Sequence, residues 1–93
     1  MHRMKYRTRT EIIRDILQTA RSTGNGAGKT QLMYNAFLSY RQIGEYLTLL
    51  IDSGLLQYDF DTRRFRITEK GLSFLQLSNQ IGNLIQMEDQ QQW

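Results

Sequence analysis

Cysteine is absent from the 93 residues. That absence removes thiolate chemistry, disulfides and the common structural zinc sites, and it is compatible with a reducing cytoplasm. The single histidine, His2, lies in the opening segment, where it cannot build a metal site alone and has no nucleophile to serve. No apolar run exceeds a few residues, far short of a bilayer span. The start, Met1 to Arg7, is charged but leads into no apolar region, so no secretory leader is expected there. No metal, cofactor or small-molecule ligand is evident.

Enough apolar side chains remain, 40% of the chain with 11% aromatic, for one core without covalent staples. The length suits one compact domain with an element left over for pairing with another chain. Net charge is +3, and it is unevenly distributed. Residues 1–29 hold seven Lys/Arg against two acids, residues 30–67 balance at four against four, and residues 68–93 carry one lysine against three acids. Such asymmetry suggests a front that faces a polyanion and a tail with another task.

Hydrophobic spacing predicts the elements. Thr8 and Glu11 form a capping box ahead of a helix whose inner face is Ile12, Ile13, Ile16, Leu17 and Ala20. The run Thr23-Gly24-Asn25-Gly26 ends it. A short second helix is expected from about Lys29 to Asn35, with Leu32, Met33 and Ala36 inward, followed by an apolar turn at Phe37-Leu38. Ser39 and Gln42 box the start of a third helix, with Leu38 and Ile43 as its hydrophobic staple. Ile43, Leu47, Leu50 and Ile51 are its predicted buried stripe, and Gly54 stops it. The period then changes to two. Strands are expected at Leu55–Phe60 and Arg64–Ile67, joined by Asp61-Thr62-Arg63, with Phe65 and Ile67 on one face and Arg64 and Arg66 on the other. Thr68 caps a last helix running past Leu84, on which Phe74, Leu77, Ile81 and Leu84 form a heptad-like seam interrupted by Gly82. Fraying is expected from Asp89 to Trp93.

Three helices, a two-stranded hairpin and a further helix give a mainly α fold with a small β-hairpin, the order of a winged helix-turn-helix with an extended C-terminal helix. The expected organisation is a basic arm over residues 1–7, the winged domain over residues 8–75 and a C-terminal extension for dimerisation over residues 76–93. In this arrangement the third helix offers its N-terminal residues to a major groove. Arg41 has the fork for guanine, Gln42 the amide for adenine, and Glu45 the acceptor for cytosine. Tyr40 adds a ring that either touches a phosphate or covers the core. Lys29, Thr30 and Gln31 begin the second helix, where a phosphate meets free N–H groups. Arg63, Arg64 and Arg66 on the hairpin suit backbone contact. Leu77, Ile81, Leu84 and Ile85 lie beyond the reach of so small a core and are the candidate dimerisation residues.

Each of these residues also has a plainer reading. Arg41 and Gln42 suit any solvated helix face, Glu45 can pair with Arg41 four residues earlier, and strand arginines resist edge aggregation. Tyr34, Tyr46 and Tyr58 read as core or half-buried packing. Asp59 and Asp61 read as turn chemistry, not catalysis. The stretch from Gly24 to Thr30 is not a nucleotide-binding loop. The required glycine five residues before Gly28 is Thr23, and a helix, not a strand, precedes it. No enzyme activity is expected.

The chain resembles the archaeal winged-helix proteins typified by a ten-kilodalton chromatin-associated group with a C-terminal coiled coil. The resemblance rests on Glu11-Ile12-Ile13-Arg14-Asp15-Ile16-Leu17, on the run from Lys29 to Ala36, on Leu38-Ser39-Tyr40, Glu45-Tyr46-Leu47 and Ser53-Gly54-Leu55-Leu56, and on Tyr58, Ile67-Thr68 and Lys70-Gly71. It spans roughly residues 8–85. It implies double-stranded DNA as the partner, an archaeal source, a cytoplasmic, nucleoid-associated location, and a homodimer joined through the last helices, often antiparallel. Three roles are compatible with it: a transcription regulator, an architectural DNA-binding protein with little sequence preference, and a winged-helix module that binds proteins.

Overall fold

Helix α1 (Arg9–Ser22) begins where the Thr8 hydroxyl accepts the Glu11 N–H at 3.1 Å and the Glu11 carboxylate accepts the Thr8 N–H at 2.9 Å. This reciprocal cap satisfies two backbone donors that a helix start otherwise leaves without partners. The computed structural model describes the backbone of residues 7–91 and the side chains of residues 7–81. Leu84, Ile85 and the first six residues of the basic arm therefore lie outside the described side chains. Arg7, expected in that arm, is tied to the domain instead. Its guanidinium donates to the Asp15 carboxylate at 2.7 Å and to the Ala36 carbonyl, joining α1 to the end of α2 (Lys29–Asn35).

Helix α3 (Tyr40–Asp52) repeats the capping box with Ser39 and Gln42, at 3.1 and 2.9 Å. It stops in a Schellman arrangement. The Leu55 N–H donates to the Leu50 carbonyl and the Gly54 N–H to that of Ile51, with Gly54 at φ +78°. The same pattern closes α2, where Leu38 donates to Met33 and Phe37 to Tyr34. Here, however, the left-handed residue is Phe37, at φ 57° and 84% exposed. A non-glycine residue in that region costs about 1–3 kcal/mol.

Strands β1 (Leu56–Asp59) and β2 (Arg64–Ile67) pair antiparallel, Leu56 opposite Ile67 and Asp59 opposite Arg64. The connection has four residues, beginning one earlier than expected at Phe60. Asp59 accepts the Asp61 and Thr62 N–H groups at 2.9 and 3.3 Å. Those two bonds, Thr62 first, and then the positive charge of Arg66, hold its carboxyl below the ordinary carboxylate range. The turn is therefore supported at neutral pH and loses that support as pH falls through the lowered value.

One strand contact has no counterpart in the sequence reading. Ala27 pairs with Phe65, exchanging N–H to carbonyl bonds of 2.9 and 2.8 Å in both directions. Gly26 permits it, at φ +92°, because a Cβ there would lie 2.7 Å from the Phe65 carbonyl oxygen. The loop between α1 and α2 thus lies as a short third strand beside the hairpin.

Helix α4 (Glu69–Gln91) is continuous across Gly82 and past Asp89, where fraying was expected. Thr68 caps it, its hydroxyl accepting the Gly71 N–H while donating to the Gly54 carbonyl. The core is formed by Ile16, Leu17 and Ala20 of α1, Ala27 of the following loop, Leu32 and Ala36, Ile43, Leu47 and Leu50 of α3, Leu55 just before β1, Leu56 and Phe65 from the hairpin, and Leu75 of α4. Two expectations fail at its edge. Ile51 is 38% exposed, because it lies at the margin of the stripe centred on Ile43, Leu47 and Leu50. Tyr34 is exposed, because it falls two residues from Leu32 on a two-turn helix and so points away from it.

Gly71 marks the closest approach of α4 to the hairpin. An added Cβ would meet the Leu55 carbonyl oxygen at 2.5 Å and Ile67 Cγ1 at 2.6 Å. Overpacking of this kind costs about 1–3 kcal/mol and outweighs the gain of up to about 1 kcal/mol in helix propensity. Gly71→Ala is therefore expected to lower the unfolding free energy by about 1 kcal/mol in urea denaturation.

Candidate nucleic-acid interface

The capped start of α3 projects Tyr40 and Arg41 into solvent. Arg41 is 89% exposed at its side chain, and Nε lies 3.5 Å from Oε2 of Glu45, itself 67% exposed. A pair so open to water holds its members loosely. Helical spacing puts Arg41, Glu45 and Thr48 on the face opposite Ile43, Leu47 and Leu50. Gln42 is also exposed, but Oε1 already accepts the Ser39 N–H. The sequence assigned Gln42 both to the cap and to adenine. A two-bond contact to adenine uses that same oxygen, whose second lone pair is still open, while the cap turns the side chain back toward Ser39.

The start of α2 comes to the same side. Lys29 Nζ stands 3.9 Å above the Tyr40 ring, a cation–π contact that leaves both groups near the surface. Thr30 and Gln31 beside it are exposed, and Gly28 offers α2 no side-chain cap. Lys29 also approaches α3 at Gly44, 3.7 Å from where a Cβ would be.

The hairpin arginines divide. Arg63, at φ 59° in the turn, lines the same groove as Lys29 and Gly44. Arg64 and Arg66 leave the hairpin on the side opposite Phe65. Arg64 donates to the Gly26 carbonyl at 3.3 Å, and Arg66 pairs with Asp59 at 3.4 Å. The alternation expected for β2 is present, but it separates Arg63 from the two others. Lys29, Tyr40 and Gly44 are brought together, Arg63 lines the same groove as Lys29 and Gly44, and Arg64 and Arg66 are turned toward the α1–α2 loop.

Sequence reasoning did not single out Gly44. Glycine in a helix interior costs about 0.5–1 kcal/mol relative to alanine, and nothing in the fold requires it at this position, since 3.7 Å is ordinary contact distance. The signal was a glycine in the middle of an otherwise strong helix pattern.

Among the described residues, no three His, Cys, Asp or Glu side chains gather as a metal would need, and no helix is long and apolar enough to cross a membrane. On α4, Leu77 and Ile81 are exposed beyond Leu75, the last buried residue of the described set.

A family model described as winged helix-turn-helix matches residues 6–87. Among solved structures, the chain is similar to Sso10a-2, a DNA-binding protein from Sulfolobus solfataricus, at 26% identity and a TM-score of 0.67, over 90% of this chain and 92% of that one. No protein among those of curated function matches it.

Because Gly44 is dispensable to the fold, Gly44→Ala is expected to raise the unfolding free energy by about 0.5–1 kcal/mol. Equilibrium denaturation checks this, and a loss of stability would show that the glycine has a packing role.

Proposed function

The chain belongs to the winged helix-turn-helix family, and on that premise we propose that it binds double-stranded DNA as a transcription regulator, with α3 in the major groove. The observation that carries this reading is the free outer face of α3. Arg41 heads that face, paired only with an exposed Glu45, and Lys29 and Arg63 flank the helix on one side. A phosphate backbone following that side would meet both cations while Arg41 reaches base edges. The similarity to an archaeal DNA-binding protein supports the same partner. In this reading Arg41 reads a base, Glu45 yields its weak pairing or accepts from a cytosine, and Gln42 secures the helix start. Arg64 and Arg66 add charge on the far side of the wing, and Thr30 and Gln31 lie within reach of a phosphate.

We propose further that α4 joins two copies. Leu77 and Ile81 leave apolar surface uncovered along one face of the helix where it extends beyond the core. A second copy of the same stripe would bury it, with Leu84 and Ile85 as the continuation of the seam.

Selection of preferred sites from random duplexes, followed by salt-titrated binding, tests the DNA reading. Arg41→Ala is expected to weaken the preferred site by about 1–3 kcal/mol and to relax choice at one base pair. Equal loss on every sequence would make Arg41 a phosphate contact, and selection without a motif would favour an architectural role. Binding no tighter than about 10⁻⁴ M at physiological salt would remove DNA as the partner.

The double variant Leu77→Ser, Ile81→Ser is expected to sediment as a folded monomer. If it still sediments as a dimer, the subunit contact is elsewhere.

A further inference from the structure

Between α3 and the hairpin runs a groove of about 770 Å³, within the range of small-molecule sites. Its floor is core: Leu47, Leu56 and Phe65 are buried beneath it. Its walls are apolar side chains that the fold leaves uncovered. Ile51 on the α3 side is 38% exposed, and Phe60 on the hairpin side is 82% exposed. Three rings form that second wall. Phe60 meets Tyr58 edge to face at 4.9 Å, and Tyr58 meets Phe65 at 4.8 Å, so the exposed ring is braced against the core. Gly44 lines the groove too, and any side chain there would narrow it.

The charges are one-sided. Of the described residues that line the groove, Lys29 and Arg63 are cationic and none is acidic. An apolar cleft with two cations and no counter-charge fits a ligand with a hydrocarbon body and an anionic head.

We propose that the groove binds a small apolar carboxylate, preferably aromatic, with its body against the Phe60–Tyr58–Phe65 wall and its carboxylate directed to Lys29 and Arg63. Occupancy competes with DNA, because the carboxylate engages cations that flank α3 and cancels one of their two positive charges. The competition rests on the interface proposed above; the binding does not.

The test uses 1-naphthoate as the probe and naphthalene-1-methanol, an uncharged analogue of similar shape, as the control, followed by amide shifts in NMR titration of the full chain without DNA. Saturable naphthoate binding is expected at sub-millimolar concentration, with the largest shifts at Gly44, Thr48, Ile51 and Phe60, and at least tenfold weaker binding of the alcohol. Phe60→Ser and Ile51→Glu, both at exposed positions, are each expected to weaken naphthoate at least fivefold without unfolding the chain. Equal affinity for acid and alcohol, or shifts centred elsewhere, would overturn the proposal. So would binding that emerges only in the Leu77→Ser, Ile81→Ser variant, since a second copy would then be the groove's occupant. In a second arm, saturating naphthoate is expected to lower DNA affinity and to reduce the logarithmic salt slope by about 0.9, the value for one phosphate contact, since the ligand carries one negative charge. DNA binding unchanged by bound naphthoate would overturn the competition while leaving the site. Failure of the chain to bind DNA at all would refute the interface and not the groove.

Discussion

The two backbone bonds between Ala27 and Phe65 tie the loop before α2 to the hairpin, and the rest of the candidate interface is built around them. A two-stranded hairpin is marginal on its own in water, and this one gains a third partner from a loop that would otherwise wander over the surface. Phe65 is thereby pinned above the core, which it helps to seal. Two residues after Ala27 the chain enters α2, so the same bonds determine where Lys29 stands relative to Tyr40 and Gly44. Everything depends on a left-handed glycine at position 26, whose missing side chain lets one backbone touch the other.

A second theme is that α3 is secured at both ends by groups that are not on its outer face. Ser39 and Gln42 close the start, and the crossed bonds to Leu50 and Ile51 close the end. Leu50 and Leu55, the hydrophobic partners of that terminal motif, are core residues. Arg41, Glu45 and Thr48 touch only their own helix, through the Arg41–Glu45 pair and the Thr48 bond to the Gly44 carbonyl, and stand on the outer face of α3. Gln42 differs from them in also closing the start of the helix.

Most of the fold was legible in the sequence because its signals are local. Thr8 with Glu11, Ser39 with Gln42, Gly54 and Thr68 each act within a few residues, and each forms the cap or stop expected of it. What could not be read is tertiary. The Ala27 pairing joins residues 38 apart and resembles a plain glycine-rich turn in sequence. Ile51 fits the apolar repeat of α3, yet it lies where that repeat outruns the surface available to cover it. Tyr34 fails for a similar reason, on a helix too short to bury two faces. The strand alternation foretold that Arg64 and Arg66 share a side, and Arg63, in the turn just before β2, lines the groove on the Phe65 side. For the candidate site, the residue types were legible and their grouping was not. Lys29 and Arg63 lie 34 positions apart in the chain, and only packing makes them neighbours of one groove.

Helix α4 carries a consequence of a different kind. It has 23 residues without a break, beginning at the capped Thr68 where it is locked to the hairpin and α3. At 1.5 Å per residue such a rod is about 34 Å long, comparable to one turn of a DNA duplex. If two copies meet along its outer half, no hinge lies between the meeting point and either winged domain. The distance between the paired reading heads would then be a fixed dimension of the protein, and operators with different spacing would have to twist or bend to fit.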